Sequence, residues 1–347
     1  MLIDLKKLEF YGVRGLPLVW FRSYLRNRRC YVSYKSATSS EAPITTGVPQ
    51  GSILGPILFL IYINDLPKCV NNFTSTLYAD DTTLCSSDYN YSTLISQSNS
   101  DLENLENWMK TNRLTLNISK TEMLLFTNRK FEHLQHRVIL GGNSLNYTLN
   151  CKFLGVLIDS RLTFSDHIKS ISNKISKNCG ILYKIRDKLP DQTKLDFYYA
   201  FIYPYLTYNV IVWGGTYPQH LQPLIIQHKR VIRTLCHSKA RDPTTPLFLR
   251  LGLLKFHEIY KLNLMTHMHK CMARGQYKVR HDVDTRSRNL AAPAYHRLTG
   301  SQHSVSYSGP VLWNLLPTYL REIKALGQFK RALKAFFIEQ YSMDMQV

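Results

Sequence analysis

The segment Thr76-Leu77-Tyr78-Ala79-Asp80-Asp81-Thr82-Thr83-Leu84 restricts the folds open to this chain more than any other. Apolar and β-branched residues flank an acidic pair on both sides. That pattern predicts a β-hairpin over Phe73 to Leu84 with Asp80-Asp81 at its tip. Two adjacent carboxylates repel each other and sit poorly at the end of an apolar hairpin unless a cation joins them. Mg2+ is the natural candidate, because it prefers carboxylate and phosphate oxygens. A solvent-exposed Asp-Asp turn with no ligand is the plain alternative.

A second feature is the run Gly47-Val48-Pro49-Gln50-Gly51-Ser52-Ile53-Leu54-Gly55-Pro56. Glycines at 47, 51 and 55 let backbone approach a flat or phosphorylated ligand closely. The run opens a helix, whose free N–H groups favour anions, and Gln50 and Ser52 are suited to hydrogen-bond a sugar or a base edge. A turn that simply needs glycine and proline would read the same way.

Around these features the chain alternates helix and strand. Helices are predicted over Met1 to Phe10 and through Trp20 to Leu25, and a strand over Cys30 to Tyr34. A helix follows Pro56, through Ile57 to Ile63, and Asp65 reads as part of its termination. Another runs from Leu102 to Met109, with Asp101, Glu103 and Glu106 in its first turns. Thr121 to Thr127 reads as a strand, and Val138–Leu140 and Asn146–Leu149 as the arms of a hairpin around Gly141-Gly142-Asn143-Ser144. Phe153 to Leu157 is a further strand. From Phe164 the periodicity is helical, with Ile168, Ile171, Ile175 and Cys179 on one face. An Arg- and His-rich arm is expected from Arg280 to His303, and a basic amphipathic helix from Glu322 to Tyr341.

Charge points to a partner. The net charge is +20, and it is uneven. Residues 1–165 hold 17 lysines and arginines against 13 acidic residues, whereas residues 166–347 hold 27 against 11. A basic half of this kind favours a polyanion, since phosphates release counterions when Lys and Arg replace them. Seven cysteines, scattered singly with no CxxC pair, and a start without a signal-peptide pattern suggest reduced thiols inside a cell. His267, His269 and Cys271 lack the second ligand pair that a zinc site needs. The uncharged stretch from Phe197 to His228 is interrupted by Pro204, Asn209, Gly214-Gly215 and Pro218, so a buried aromatic-rich helix broken at Pro204 is expected there rather than a membrane span.

Taken together, GVPQGSILGPILFLIYINDLP at 47–67, LYADD at 77–81, NRLTLNISKTEMLLF at 112–126 and KFLGVLIDSRLTFSDHI at 152–168 resemble, in order and spacing, the reverse transcriptases of non-LTR (LINE-like) retrotransposons. The resemblance implies an RNA-directed DNA polymerase that uses an RNA template, a DNA primer and deoxynucleoside triphosphates, with two Mg2+ ions. It implies Asp80 and Asp81 as metal ligands, and Lys120 beside the leaving pyrophosphate. Gln50, Gly51, Ser52, Tyr78 and Ala79 would line the nucleotide and template site. Phe153, Leu154 and Gly155 would form a primer grip. The basic helices beyond Phe164 would track the phosphate backbone as a thumb. Most of the Tyr and Trp residues between 197 and 213 are expected to be core, although bases stack on such rings too.

The expected fold class is α+β. An incomplete right-hand palm with an antiparallel sheet (1–150) precedes a primer grip and all-α thumb (151–240), and a basic helical extension (241–347) follows. The family's first catalytic aspartate lies upstream of a helix that reads like Leu2 to Gly12, and Asp4, Asp65 and Asp159 are poorly placed to replace it. The chain by itself is therefore expected to be inactive, and its hairpin edge to favour aggregation. The competing readings are a polymerase active within a longer chain, a non-catalytic nucleic-acid-binding remnant, and a group II intron-type or telomerase-type polymerase. The oligomeric state is not legible.

Overall fold

The computed structural model describes residues 2–45, 47–49, 51–127, 137–277, 290–294 and 299–343. Gln50 lies outside them, as do residues 280–289 and 295–298 of the expected Arg- and His-rich arm. The structure mixes α and β, with helices dominant and strands pairing two by two. It divides into two compact units: residues 1–123 with 129–147, and residues 124–128 with 148–347.

The first unit begins with α1 (Leu2–Phe10) and α2 (Leu16–Leu25). Leu5 and Leu8 of α1, three residues apart, close a small core with Leu25 and with Leu58 of α3 (Leu54–Ile63). Between α2 and α3 the chain forms a two-stranded ribbon. Here β1 (Arg28–Cys30) pairs with β4 (Ala42–Ile44), and β2 (Ser33–Tyr34) with β3 (Ala37–Thr38). The strand expected over 30–34 is thus split in two. Lys7 ties α1 to α3 and to a later helix. Its ammonium donates to Asp65 Oδ1 at 2.7 Å and lies 4.7 Å from the Tyr62 ring centre and 4.8 Å from that of Trp108.

The acidic hairpin follows, as β5 (Thr74–Tyr78) and β6 (Asp81–Cys85). Beneath it, α4 (Tyr91–Thr111) begins eleven residues earlier than the sequence reading placed it. Asn90 explains the early start: its Oδ1 accepts the Ser92 N–H at 2.9 Å and so caps the helix. Ile95, Ser98, Leu102 and Leu105 then supply a buried stripe at spacings of three and four. Asp101 is consequently buried in mid-helix, and not in the first turn as expected.

Only Met123–Leu124 of the expected strand 121–127 is extended, as β7. The glycine hairpin is tighter than the sequence suggested. β8 (Ile139–Leu140) returns at once as β9 (Asn143–Ser144), through Gly141 and Gly142 at φ +58° and +74°. Two consecutive positive φ values define a turn whose twist matches that of the strands, and glycine adopts them without a Cβ penalty. β10 (Tyr147–Thr148) follows.

The second unit opens with a hairpin of β11 (Asn150–Phe153) and β12 (Val156–Asp159), and is helical thereafter. Its helices are α5 (Ser165–Ile185), α6 (Asp191–Phe201), α7 (Tyr203–Thr207), α8 (Val210–Trp213), α9 (Pro218–Leu235), α10 (Thr245–Leu251), α11 (Phe256–Ala273), α12 (Thr299–Gln302), α13 (Val305–Asn314), α14 (Thr318–Arg321) and α15 (Leu326–Met343). The last helix starts four residues later than predicted, after the short α14. The aromatic stretch is broken at Ile202 as well as before Val210, where Asn209 takes a left-handed conformation. Tyr198 and Trp213 are fully buried, each burial contributing roughly 2–3 kcal/mol, whereas Tyr199, Phe201 and Tyr208 keep substantial exposure. One core runs through this unit from Val156 to Tyr341, across the boundary expected at 240/241. Among the described residues no helix is long and apolar enough to cross a membrane.

Candidate functional site

The hairpin tip is set by its register. Tyr78 is directly opposite Asp81, so Ala79 and Asp80 alone make the turn, with Ala79 at φ +52°. Leu77 and Leu84 turn inward and pack with Phe73 on the core of Leu66, Val70, Ile95, Leu102 and Leu105. Tyr78, Ala79, Asp80 and Asp81 are all exposed. Among the described residues neither side-chain carboxylate has a hydrogen-bond or ion-pair partner. The protein thus presents two hard, anionic oxygen donors without a cation of its own, a donor set that suits Mg2+. Among the described residues no third His, Cys, Asp or Glu joins them to form a group.

The hairpin is mounted through Asp101. Its Oδ2 accepts the backbone N–H groups of Asn71, Asn72 and Phe73 at 2.9, 2.6 and 3.0 Å, and its Oδ1 accepts the Asn72 side-chain amide at 3.2 Å. Burial opposes the charge on this carboxylate, but the donors together outweigh it and hold the group below the usual aspartate range. Sequence reading missed this role, because backbone amides carry no side-chain signature.

In the glycine loop, Gly47 and Gly51 take φ +71° and +79°. The Ser52 hydroxyl donates to the Pro49 carbonyl at 2.8 Å and accepts the Gly55 N–H at 3.0 Å. Ser52 therefore shapes the loop through its hydroxyl. Gly55 is required by crowding: a Cβ there would meet the Pro49 oxygen at 2.9 Å and Ser52 Oγ at 3.0 Å. Arg28 holds the loop from the ribbon, donating to the Leu25 carbonyl at 3.2 Å and to the Gly47 carbonyl. The Arg26-Asn27-Arg28-Arg29 run was its only sequence signal.

Lys120 ends a short 3-10 turn (Ile118–Lys120), and its exposed side chain has no partner among the described residues. Ile118 beside it packs on the core that carries the acidic hairpin. In the second unit, Phe153 and Val156 face each other across β11–β12, and Leu154 and Gly155 form the turn at φ +43° and +84°. Asp159 closes the base of this hairpin, accepting the N–H groups of Arg161, Thr163 and Phe164 at 3.1, 3.0 and 2.6 Å. Among the residues considered for zinc, His269 is within 2.7 Å of the Ile323 carbonyl and stacks on Phe329, which accounts for it as a core histidine.

Residues 2–158 match the family described as reverse transcriptase (RNA-dependent DNA polymerase). Curated relatives carry the likeness further along the chain. It is 29% identical to a probable RNA-directed DNA polymerase from transposon X-element of Drosophila melanogaster, over 71% of this chain and 28% of that protein. It is 28% identical to the RNA-directed DNA polymerase from mobile element jockey of the same species, over 62% and 24%. A putative 115 kDa protein in type-1 retrotransposable element R1DM is 25% identical over 72% and 24%. The chain thus spans about a quarter of the length of these relatives.

Proposed function

We propose that the chain serves RNA-directed DNA synthesis in a non-LTR retrotransposon, contributing the metal-binding hairpin, the nucleotide loop and the primer-holding helical part. The observation that carries this reading is the exposed Asp80-Asp81 pair, unpaired among the described residues, on a hairpin anchored by Asp101 within residues that match the reverse transcriptase family. Mg2+ held there would supply a Lewis acid for the primer hydroxyl and the transferred phosphoryl group. Asp80 and Asp81 would provide its protein oxygens. Lys120 would neutralise charge on departing pyrophosphate. The Gly47–Gly55 loop would present backbone to the nucleotide with Gln50, Gly51, Ser52, Tyr78 and Ala79 around it. Phe153, Leu154 and Gly155 would place the primer end, and the basic helices from α5 onward would follow the duplex backbone as a thumb.

A second reading is favoured by one observation: among the described residues no third carboxylate stands with Asp80 and Asp81. Two-metal transfer asks for one from another strand. Without it the chain binds a primer–template and does not extend it, the loss being on the order of a thousandfold or more in rate. Primer extension on an RNA template with Mg2+ separates the readings. Extension that Asp80→Ala abolishes supports the enzyme. Salt-sensitive binding of an RNA–DNA hybrid without extension supports the non-catalytic form. Neither binding nor extension overturns both.

A further inference from the structure

We propose that Tyr208 is the positioning residue for the primer-grip turn, a role resting on the reading of Phe153, Leu154 and Gly155 as that grip. The turn contains an unfavourable element. Leu154 is a branched residue at φ +43°, a conformation disfavoured outside glycine and asparagine, so surrounding structure must hold it there. Tyr208 supplies the hold in two ways. Its hydroxyl donates to the Leu154 carbonyl at 2.6 Å, which fixes the orientation of the peptide that links Leu154 to Gly155. Its ring lies flush against Gly155, where a Cβ would be only 3.3 Å from Cε1.

Tyr208 is itself held from the core. The indole N–H of Trp213, which is fully buried, donates to the Tyr208 carbonyl at 3.0 Å. The next residue, Asn209, takes φ +49° and starts α8. The left-handed Asn209 separates α7 from α8, with Tyr208 exposed before it and Trp213 buried after it. The sequence of contacts therefore runs from a rigid core tryptophan, through backbone, to the ring and hydroxyl that set the turn. More than half of Tyr208 remains exposed although its hydroxyl is engaged. Burial of the ring is thus not what the position requires.

Amide hydrogen exchange and primer–template kinetics on the full chain test this together. Tyr208→Phe keeps the ring and removes the hydroxyl bond. It is expected to speed exchange at Gly155 and Val156 by about tenfold, the scale of one lost hydrogen bond, and to leave α5 unchanged. In whichever assay the chain binds or extends a primer–template, the same variant is expected to raise the primer–template KM or Kd by a similar factor and leave the nucleotide KM alone. Gly155→Ala should reproduce both effects by a different route, through the φ +84° backbone and the Tyr208 ring. Unchanged exchange at 155–156 in Tyr208→Phe overturns the role, whatever the chain does with nucleic acid. Faster exchange with primer–template affinity untouched in both variants overturns it as a primer-positioning role. A wild-type chain that ignores primer–template altogether, with exchange responding as expected, overturns the functional reading and leaves the hold on the turn established.

Discussion

Asp81 faces Tyr78 across the last rung of its hairpin, so the two acidic neighbours are not equivalent: Asp80 belongs to the turn and Asp81 to the strand. Both carboxylates are exposed and, among the described residues, unpaired. Asp80→Asn and Asp81→Asn are therefore expected to leave the folding free energy nearly unchanged, within about 0.5 kcal/mol. Each should weaken Mg2+ binding by about tenfold in a calorimetric titration. A large loss of stability in either variant would mean that the pair serves the fold.

Asp101 has the opposite character. It is buried, and three backbone donors depend on it. Asp101→Ala should cost about 3 kcal/mol and accelerate amide exchange at residues 71–73. Its carboxyl is held below the usual range, so the stability it confers is complete above the unfolded value near 3.8 and disappears as pH falls through the lower folded value. Chemical denaturation of the alanine variant should accordingly lose less between about pH 4 and pH 2 than that of the wild type.

Two buried histidines give the helical unit a separate pH dependence. Desolvation lowers His228, which shares a 3.0 Å hydrogen bond with the Tyr198 hydroxyl, to about 3. Desolvation, with a smaller contribution from Lys174, lowers His167 to about 4. The unfolded chain takes up these protons below 6.5 while the folded one resists, so stability should fall as pH drops from that value toward 4. Melting temperatures followed from about pH 8 to pH 4.5 should show the decline, and His228→Phe should flatten it. A slope identical to that of the wild type would remove His228 from the account.

The glycine loop offers a steric test. Gly55→Ala places a methyl against the Pro49 carbonyl and Ser52 hydroxyl, and should cost about 2 kcal/mol of overpacking. Ser52→Ala removes both of the hydroxyl's bonds without crowding. If the loop receives a nucleotide, both variants should weaken deoxynucleoside triphosphate binding by about tenfold, measured by fluorescence titration. Tighter or unchanged binding in both would detach the loop from nucleotide recognition.

The sequence revealed the parts of this site whose reasons are local. Alternation around Ala79-Asp80-Asp81 fixed the hairpin, and the spacing of Ile168, Ile171 and Ile175 fixed α5, because side-chain period alone decides both. It misjudged α4, since the polar run from Ser96 to Ser100 hid a helix whose cap lies at Asn90. It gave no sign of the bonds by which Ser52 shapes its own loop, because a hydroxyl carries no mark of which partner it will choose. It passed over Asp101, Arg28 and Tyr208 for a common reason: each acts on backbone groups far along the chain, and a carbonyl or an amide looks the same at every position.

The Asp101 contacts also have a mechanical side. The amides they grip belong to the chain just where it enters β5, so the acidic hairpin is a cantilever with its fixed end on α4. A pull at Asp80 would run down β5 to amides gripped by a helix of 21 residues. Whatever the tip holds would then be borne by α4 and not by the connecting loop alone.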